Sequence, residues 1–230
     1  MWIHASRRYP LFACVLAIGV LSASGCGGSA PAAEPPDPSG LTLQRSDLPP
    51  VYRIGDDSSC GPMGTEGAPA RLAALVSEEH PRVCVNQLER AYRDEPALVE
   101  SAAVVFANEQ AADRGLGIAG EFVHFLMGET PERFRRVEAP DVPGDDGFFL
   151  ASDRFTVEGI NGQPGRVVAW RSGAVVAAVL VGGVPEAAAA QRAVALAHRQ
   201  QMHIEHAEPV TTTGDAEVAL DDPALQVPVV

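Results

Sequence analysis

Arg166-Val167-Val168-Ala169-Trp170-Arg171-Ser172-Gly173-Ala174-Val175-Val176-Ala177-Ala178-Val179-Leu180-Val181 is the stretch that decides the fold. Valine is dense in both halves, and β-branched side chains fit extended, half-buried backbone. Residues 166–171 and 174–181 therefore read as strands, with Ser172-Gly173 as the two-residue hairpin turn between them. The second half is almost wholly apolar, as a central strand covered on both sides must be.

Working upstream, Phe148–Val157 and Phe134–Val137 read as further strands separated by Gly- or Pro-containing turns. Leu98–Ala107, with Val99, Val104, Val105 and Phe106, reads as another. Asn108 then caps a helix predicted over Glu109–Met127. Its stripe of Ala112, Leu116, Ala119, Val123 and Leu126 recurs at steps of four and three, and Gly128 ends it. An earlier helix is predicted over Pro69–Glu79, with Leu72, Leu75 and Val76 at helical spacing. Residues 83–92 alternate at first and then turn helical in pattern. Asp56–Gly67 reads as a polar loop carrying Cys60, and Ser46–Pro50 as a turn or short helical start. Downstream, Pro185 opens a last helix to about Glu205, with Ala190, Val194, Ala197 and Ile204 on one stripe. This order predicts an α+β fold: an antiparallel sheet of four to five strands with helices packed mainly on one face. The single α+β domain is placed at residues 41–207. Residues 208–230 are aperiodic and acidic, and read as a disordered tail.

The amino terminus sets the expected location. Arg7 and Arg8 precede an apolar run, Leu11–Leu21, that is too short to span a bilayer, which takes about 20 residues. A small-residue end, Ala23-Ser24-Gly25, completes the pattern of a secretory signal peptide over residues 1–25. Ala23-Ser24-Gly25-Cys26 resembles the bacterial lipobox. That resemblance implies cleavage before Cys26 and a diacylglycerol thioether on its sulfur. Two or more acyl chains are what stable anchoring needs. Residues 26–40, rich in Gly, Ser, Ala and Pro, then read as a lipidated tether. The expected location is exported and lipid-anchored to the cell membrane on its extracytoplasmic side.

Charge narrows the partners. The chain carries 17 basic and 30 acidic side chains, a formal −13, and every basic residue is arginine. Without Arg7 and Arg8, residues 26–230 stand at −15. Such a body is repelled by phosphate backbones and anionic headgroups, so no nucleic-acid partner is expected and the membrane contact falls to the lipid on Cys26. Cys60 and Cys84 remain after the signal and the lipid site are set aside. In an oxidising compartment they read as a structural disulfide. The alternative is a redox or metal pair, but their spacing matches no CxxC or zinc pattern.

Several short motifs together carry a family resemblance: Asp47-Leu48-Pro49-Pro50, the Val-Phe strand running into an Ala-rich helix (Val104–Ala112), Gly144-Asp145, and the Val-rich hairpin through Arg171-Ser172-Gly173. Over residues 41–206 the chain resembles a loose set of uncharacterised exported lipoproteins of actinobacteria and other high-GC bacteria. It is similar, too, to the extracellular sensor domains of some actinobacterial membrane kinases and to ligand- or lipid-carrying envelope lipoproteins. The resemblance implies no catalytic residue.

Candidate chemistry is sparse. Gly115, Gly117 and Gly120 match GxGxxG in letters, but they fall inside a helical pattern instead of at a strand-to-helix turn. His203 and His206, with His198 upstream, put imidazoles on the last helix and are weak metal candidates, since no third ligand is evident. Asp141, Asp145, Asp146 and Asp153 crowd one region without the alternation a calcium loop needs. GxSxG, HExxH and SxxK are absent. The expectation is therefore a non-catalytic envelope lipoprotein, with no cofactor, whose domain binds a small apolar ligand or lipid between sheet and helix. The alternative is an extracytoplasmic sensor or protein-interaction module with an envelope protein partner; a metal-dependent enzyme comes third.

Overall fold

Eight strands form one antiparallel sheet: β1 (Tyr52–Ile54), β2 (Ser59–Pro62), β3 (Arg82–Arg90), β4 (Ala97–Val105), β5 (Arg135–Val137), β6 (Asp146–Val157), β7 (Ile160–Ser172) and β8 (Val175–Gly182). Three α-helices accompany them among the described residues: α1 (Ala70–Glu79), α2 (Glu109–Gly117) and α3 (Glu186–His206). The computed structural model describes residues 35–56, 58–90, 97–121, 123, 134–138, 141–157 and 160–207, which lie in one compact unit, residues 33–230. The side chains of 155–163, 186 and 187 are outside that description, as are the expected signal peptide and the expected tail.

Strand order is β1-β3-β4-β8-β7-β6-β5, with β2 also pairing β3. β8 is thus the middle strand, and seven of its eight residues are buried, Ala178 being partly covered. Its odd-numbered side chains face α3: Ala177, Val179 and Val181 join Val99, Val168 and Trp170 against Ala189, Ala193, Leu196 and Ala197. Its even-numbered side chains face the opposite way. Val176 joins Val104 and Ala169 beneath Leu72 and Val76 of α1 and Ala112 and Leu116 of α2. Each fully buried Val or Leu contributes about 1.5–3 kcal/mol, so the two interfaces together are the main source of stability. The alanines on α3 bring that helix close to the sheet and leave Trp170, fully buried, to fill the space.

The sequence expectation of four to five strands with helices packed mainly on one face is corrected on both counts. The sheet has eight strands, and helices cover both faces. The missed strands are β1, β2 and β3. β1 and β2 are short, lie at the margin of the sheet, and consist largely of exposed Arg, Ser, Gly and Pro, so no alternation marks them. β3 buries only Cys84, Val85 and Leu88. Its polar face imitates a helical stripe in sequence.

Most other expectations fall within a residue or two; the exceptions are β7, which begins at Ile160 and not at Arg166, and the helix predicted over Glu109–Met127. Asn108 caps α2 by accepting from the Ala111 N–H at 2.9 Å. α2 closes at Gly117, where the Ile118 N–H turns back to Gly115 and Leu116; helical backbone resumes at 119–121, and 124–127 lie outside the described residues. The β7–β8 turn sits one residue later than predicted. Ser172 pairs with Val175, leaving Gly173 and Ala174 as the loop, and Gly173 takes φ +56°, a conformation that glycine adopts without a Cβ clash.

Candidate functional site

The first eight described residues that fold, Pro38–Arg45, lie against the end of α3 and set up the ground around it. Leu41 and Leu43 are buried, and the Leu43 N–H donates to Ser101 Oγ at 2.9 Å. Ser101 donates in turn to Gln200 Oε1 at 2.8 Å, and Gln200 Nε2 donates to the Ala102 carbonyl at 2.9 Å. This fully buried chain of bonds locks α3 to β4 and to the entering segment. A second buried bond, Trp170 Nε1 to Gln201 Oε1 at 2.8 Å, locks α3 to β7.

Asp47 is the next fixed point. Its carboxylate accepts from the Gln44 N–H at 2.6 Å and lies 2.9 Å from His203 Nε2, with the Asp47 side chain only 13% exposed. Arg199 donates to the Asp47 carbonyl, and Arg192 donates to the Tyr52 hydroxyl at 3.3 Å. The sequence marks His203 as a weak metal candidate and Asp47 as the start of the Asp47–Pro50 motif; Gln44, Tyr52, Arg192 and Arg199 carry no signal in it. Asp47 and His203 are 156 residues apart, so their pairing has no local signal.

Two open grooves meet at Asp47 and Arg199. One, about 500 Å³, lies between α3 and the wall formed by Leu48, Pro49 and Tyr52. The other, about 610 Å³, lies between the end of α3 and residues 36–41, and Met202, His203 and His206 line it. A third, about 440 Å³, is on the other side of the sheet. Leu116, Phe148 and Leu150 give it an apolar floor, and the Arg136 guanidinium stands 5.0 Å over the Phe148 ring.

The residues chosen from sequence are dispersed. His203 is held by Asp47, while His206 Nδ1 lies 2.6 Å from the Met202 carbonyl oxygen. His198 Nε2 pairs with Asp141 Oδ2 at 3.1 Å. Among the described residues no three His, Cys, Asp or Glu side chains gather closely enough to hold a metal. Asp145 pairs with Arg171 at 3.0 Å and accepts from the Gly173 N–H. Asp153 pairs with Arg135 at 3.5 Å, and Asp146 accepts from its neighbour Gly147. These bonds belong to different turns and strands of the sheet. The glycine motif is packing: a Cβ on Gly115 would meet Phe106 at 2.6 Å, so the glycine lets α2 lie against that ring. Cys60 and Cys84 form a disulfide between directly opposed residues of β2 and β3. Cys26 lies outside the described residues.

No family model matches the chain, and no curated protein matches it. Among solved structures it is similar to the extracellular domain of PknH from Mycobacterium tuberculosis, at 12% identity and a TM-score of 0.44, over 74% of this chain and 100% of that one. No helix among the described residues is long and apolar enough to cross a membrane.

Proposed function

We propose that this chain is a non-catalytic extracytoplasmic module, held to the cell membrane by lipid on Cys26, that works by recognising an envelope partner at its surface. The observation that carries the reading is the filled interior. The space between sheet and α3, where an apolar ligand was expected, is occupied by Trp170, Val168, Val179 and Leu196, and the grooves are open at the surface. The disulfide agrees with an oxidising compartment. The titratable groups of the candidate region tie loops and helices together in separate pairs, and no convergent catalytic set accompanies them among the described residues. Large exposed apolar side chains there number three, Val51, Ile54 and Met202, so the recognition surface is mixed in character instead of a broad greasy patch.

Two measurements test this. Wild-type chain is expected in the membrane fraction with a mass raised by acyl chains, and Cys26→Ala in the soluble exported fraction at polypeptide mass. Unchanged partition and mass in the variant refute the anchor. Crosslinking on intact envelopes is expected to capture one reproducible partner, and its absence refutes recognition.

One observation favours a second reading, a small apolar ligand with an anionic end. It is the groove over Leu116, Phe148 and Leu150 with Arg136 at its lip. Native mass spectrometry of protein purified from its own envelope checks it: bound mass that Arg136→Ala removes supports it, and an unladen protein rejects it.

A further inference from the structure

Helix α3 carries an uncovered face with a seven-residue repeat. Ala188, Ala195 and Met202 are seven apart, as are Arg192, Arg199 and His206, and all six side chains are exposed. Along the stripe the steps alternate between four and three, the spacing with which one helix presents a seam to another. From Ala188 to His206 it runs about 27 Å at 1.5 Å per residue. Both α3 grooves border this stripe and join at Arg199, so a second element laid along it meets a concave wall at Leu48, Pro49 and Tyr52.

The chemistry of the two ladders specifies what fits. Ala188 and Ala195 let a partner backbone approach closely, since interaxial distance follows side-chain size, and Met202 offers an apolar contact at the far end. The second ladder's two arginines, Arg192 and Arg199, stand out in a chain whose formal charge is −13. The acids that line the two grooves are already paired, Asp37 with Arg82 at 3.6 Å and Asp47 with His203 at 2.9 Å. On the neighbouring row, Glu205 accepts from Gln201. Among the described residues Arg192 and Arg199 each make one hydrogen bond, and a guanidinium has five N–H donors, so both keep donors for a partner. Two arginines with spare donors, neither in an ion pair among the described residues, favour a carboxylate-bearing partner.

We propose that this face of α3 docks an amphipathic acidic helix of an envelope protein. Carboxylates seven residues apart meet Arg192 and Arg199, and small or medium apolar side chains lie on Ala188, Ala195 and Met202. The inference rests on the surface-recognition reading and adds the partner's chemistry to it.

The probe is a fluorescent 21-residue helical peptide with Leu and Glu each repeated every seven residues, titrated into the purified full chain by anisotropy. Saturable binding is expected, weakened at least tenfold in the double variant Arg192→Glu/Arg199→Glu. A Lys version of the peptide is expected to bind that variant at least tenfold more tightly than the Glu version does. Thermal melts of the variant establish that it is folded. No saturable binding, or equal binding to wild type and variant, overturns the proposal. Binding that requires Asp215, Glu217, Asp221 and Asp222 to be changed to amides assigns the face to the chain's own carboxyl-terminal segment and also overturns it. So does self-association in sedimentation that the double variant abolishes, which assigns it to a second copy. In envelopes, a crosslinked partner lost from the double variant supports the docking face. A partner retained by the variant rejects this face while leaving surface recognition intact, and no partner in either strain rejects surface recognition itself.

Discussion

Gln200→Met tests whether α3 is held by its buried polar chain or only by apolar contact. Gln200 is fully buried, accepts from Ser101 Oγ at 2.8 Å and donates to the Ala102 carbonyl at 2.9 Å. Methionine keeps the length of the side chain but makes neither bond. Two buried partners are then left short, at about 1–3 kcal/mol each. The apolar side chain recovers about 1 kcal/mol by burial. The expected net loss is about 1–5 kcal/mol, or about 2–20 °C in the melting temperature of a domain this size. Gln200→Ala adds a cavity and is expected to cost about 3–5 kcal/mol. The decisive measurement is a double-mutant cycle with Ser101→Ala by urea unfolding. In wild type, Ser101→Ala leaves both the Leu43 N–H and Gln200 Oε1 without partners; in Gln200→Met it orphans only the N–H. A coupling of about 1–2 kcal/mol follows. A Gln200→Met shift below 2 °C with coupling near zero refutes the reasoning and leaves the hold on α3 to its apolar contacts and the Trp170–Gln201 bond.

Three further outcomes follow from the same geometry. Gly115→Val drives a side chain into Phe106 and is expected to cost about 1–3 kcal/mol, whereas Gly117→Ala meets nothing within 4 Å and is expected to add up to about 1 kcal/mol; calorimetry of the pair reads the opposite signs. Cys60→Ala/Cys84→Ala opens a loop with a sequence separation of 24 residues and is expected to lower stability by about 3.5 kcal/mol on the chain-entropy account, with the same loss on adding reductant to wild type; urea midpoints with and without dithiothreitol check it. Asp47→Ala removes the acceptor for the Gln44 N–H and the partner of His203, and is expected to cost about 1–2 kcal/mol while raising amide exchange across residues 41–48.

What was legible in the sequence follows from how local each signal is. The apolar run at Val175–Val181 announced a strand covered on both sides, and β8 is that strand. Taken literally, the run already contradicted helices on one face, because the odd and the even residues each need a cover. α1, α2 and α3 were visible through Pro69, Asn108, Pro185 and their stripes, since caps and helical periodicity act over a few residues. β1 and β2 were invisible because pairing with β3, not composition, makes Arg53 and Gly61 extended. The candidate region was less legible. The seven-residue spacing of Arg192, Arg199 and His206 could be counted in the sequence. That these residues face solvent follows from Ala189, Ala193, Leu196 and Ala197 taking the sheet side of α3, and the groove beside them needs Asp47, Leu48 and Tyr52 from the start of the chain. The acidic group at 141–153 reads in sequence as lacking calcium alternation, but its actual partners were not legible, because the hairpin sends Asp145 to Arg171 and Asp153 to Arg135.

The two ends of the sheet bear on behaviour in a crowd. Molecules anchored by lipid as proposed share a plane, where neighbours collide far more often than in dilute solution. Among the described residues the sheet ends in β1 and β2 on one side and in β5 on the other, three, four and three residues long, with Arg53 in β1 and Arg135 and Arg136 in β5. Such brief, charged margins give an approaching strand few backbone groups to pair with and a desolvation cost for trying. The long valine-rich strands that would polymerise readily, β4 and β8, are walled off in the middle. The architecture thus disfavours edge-to-edge joining of sheets between neighbouring copies.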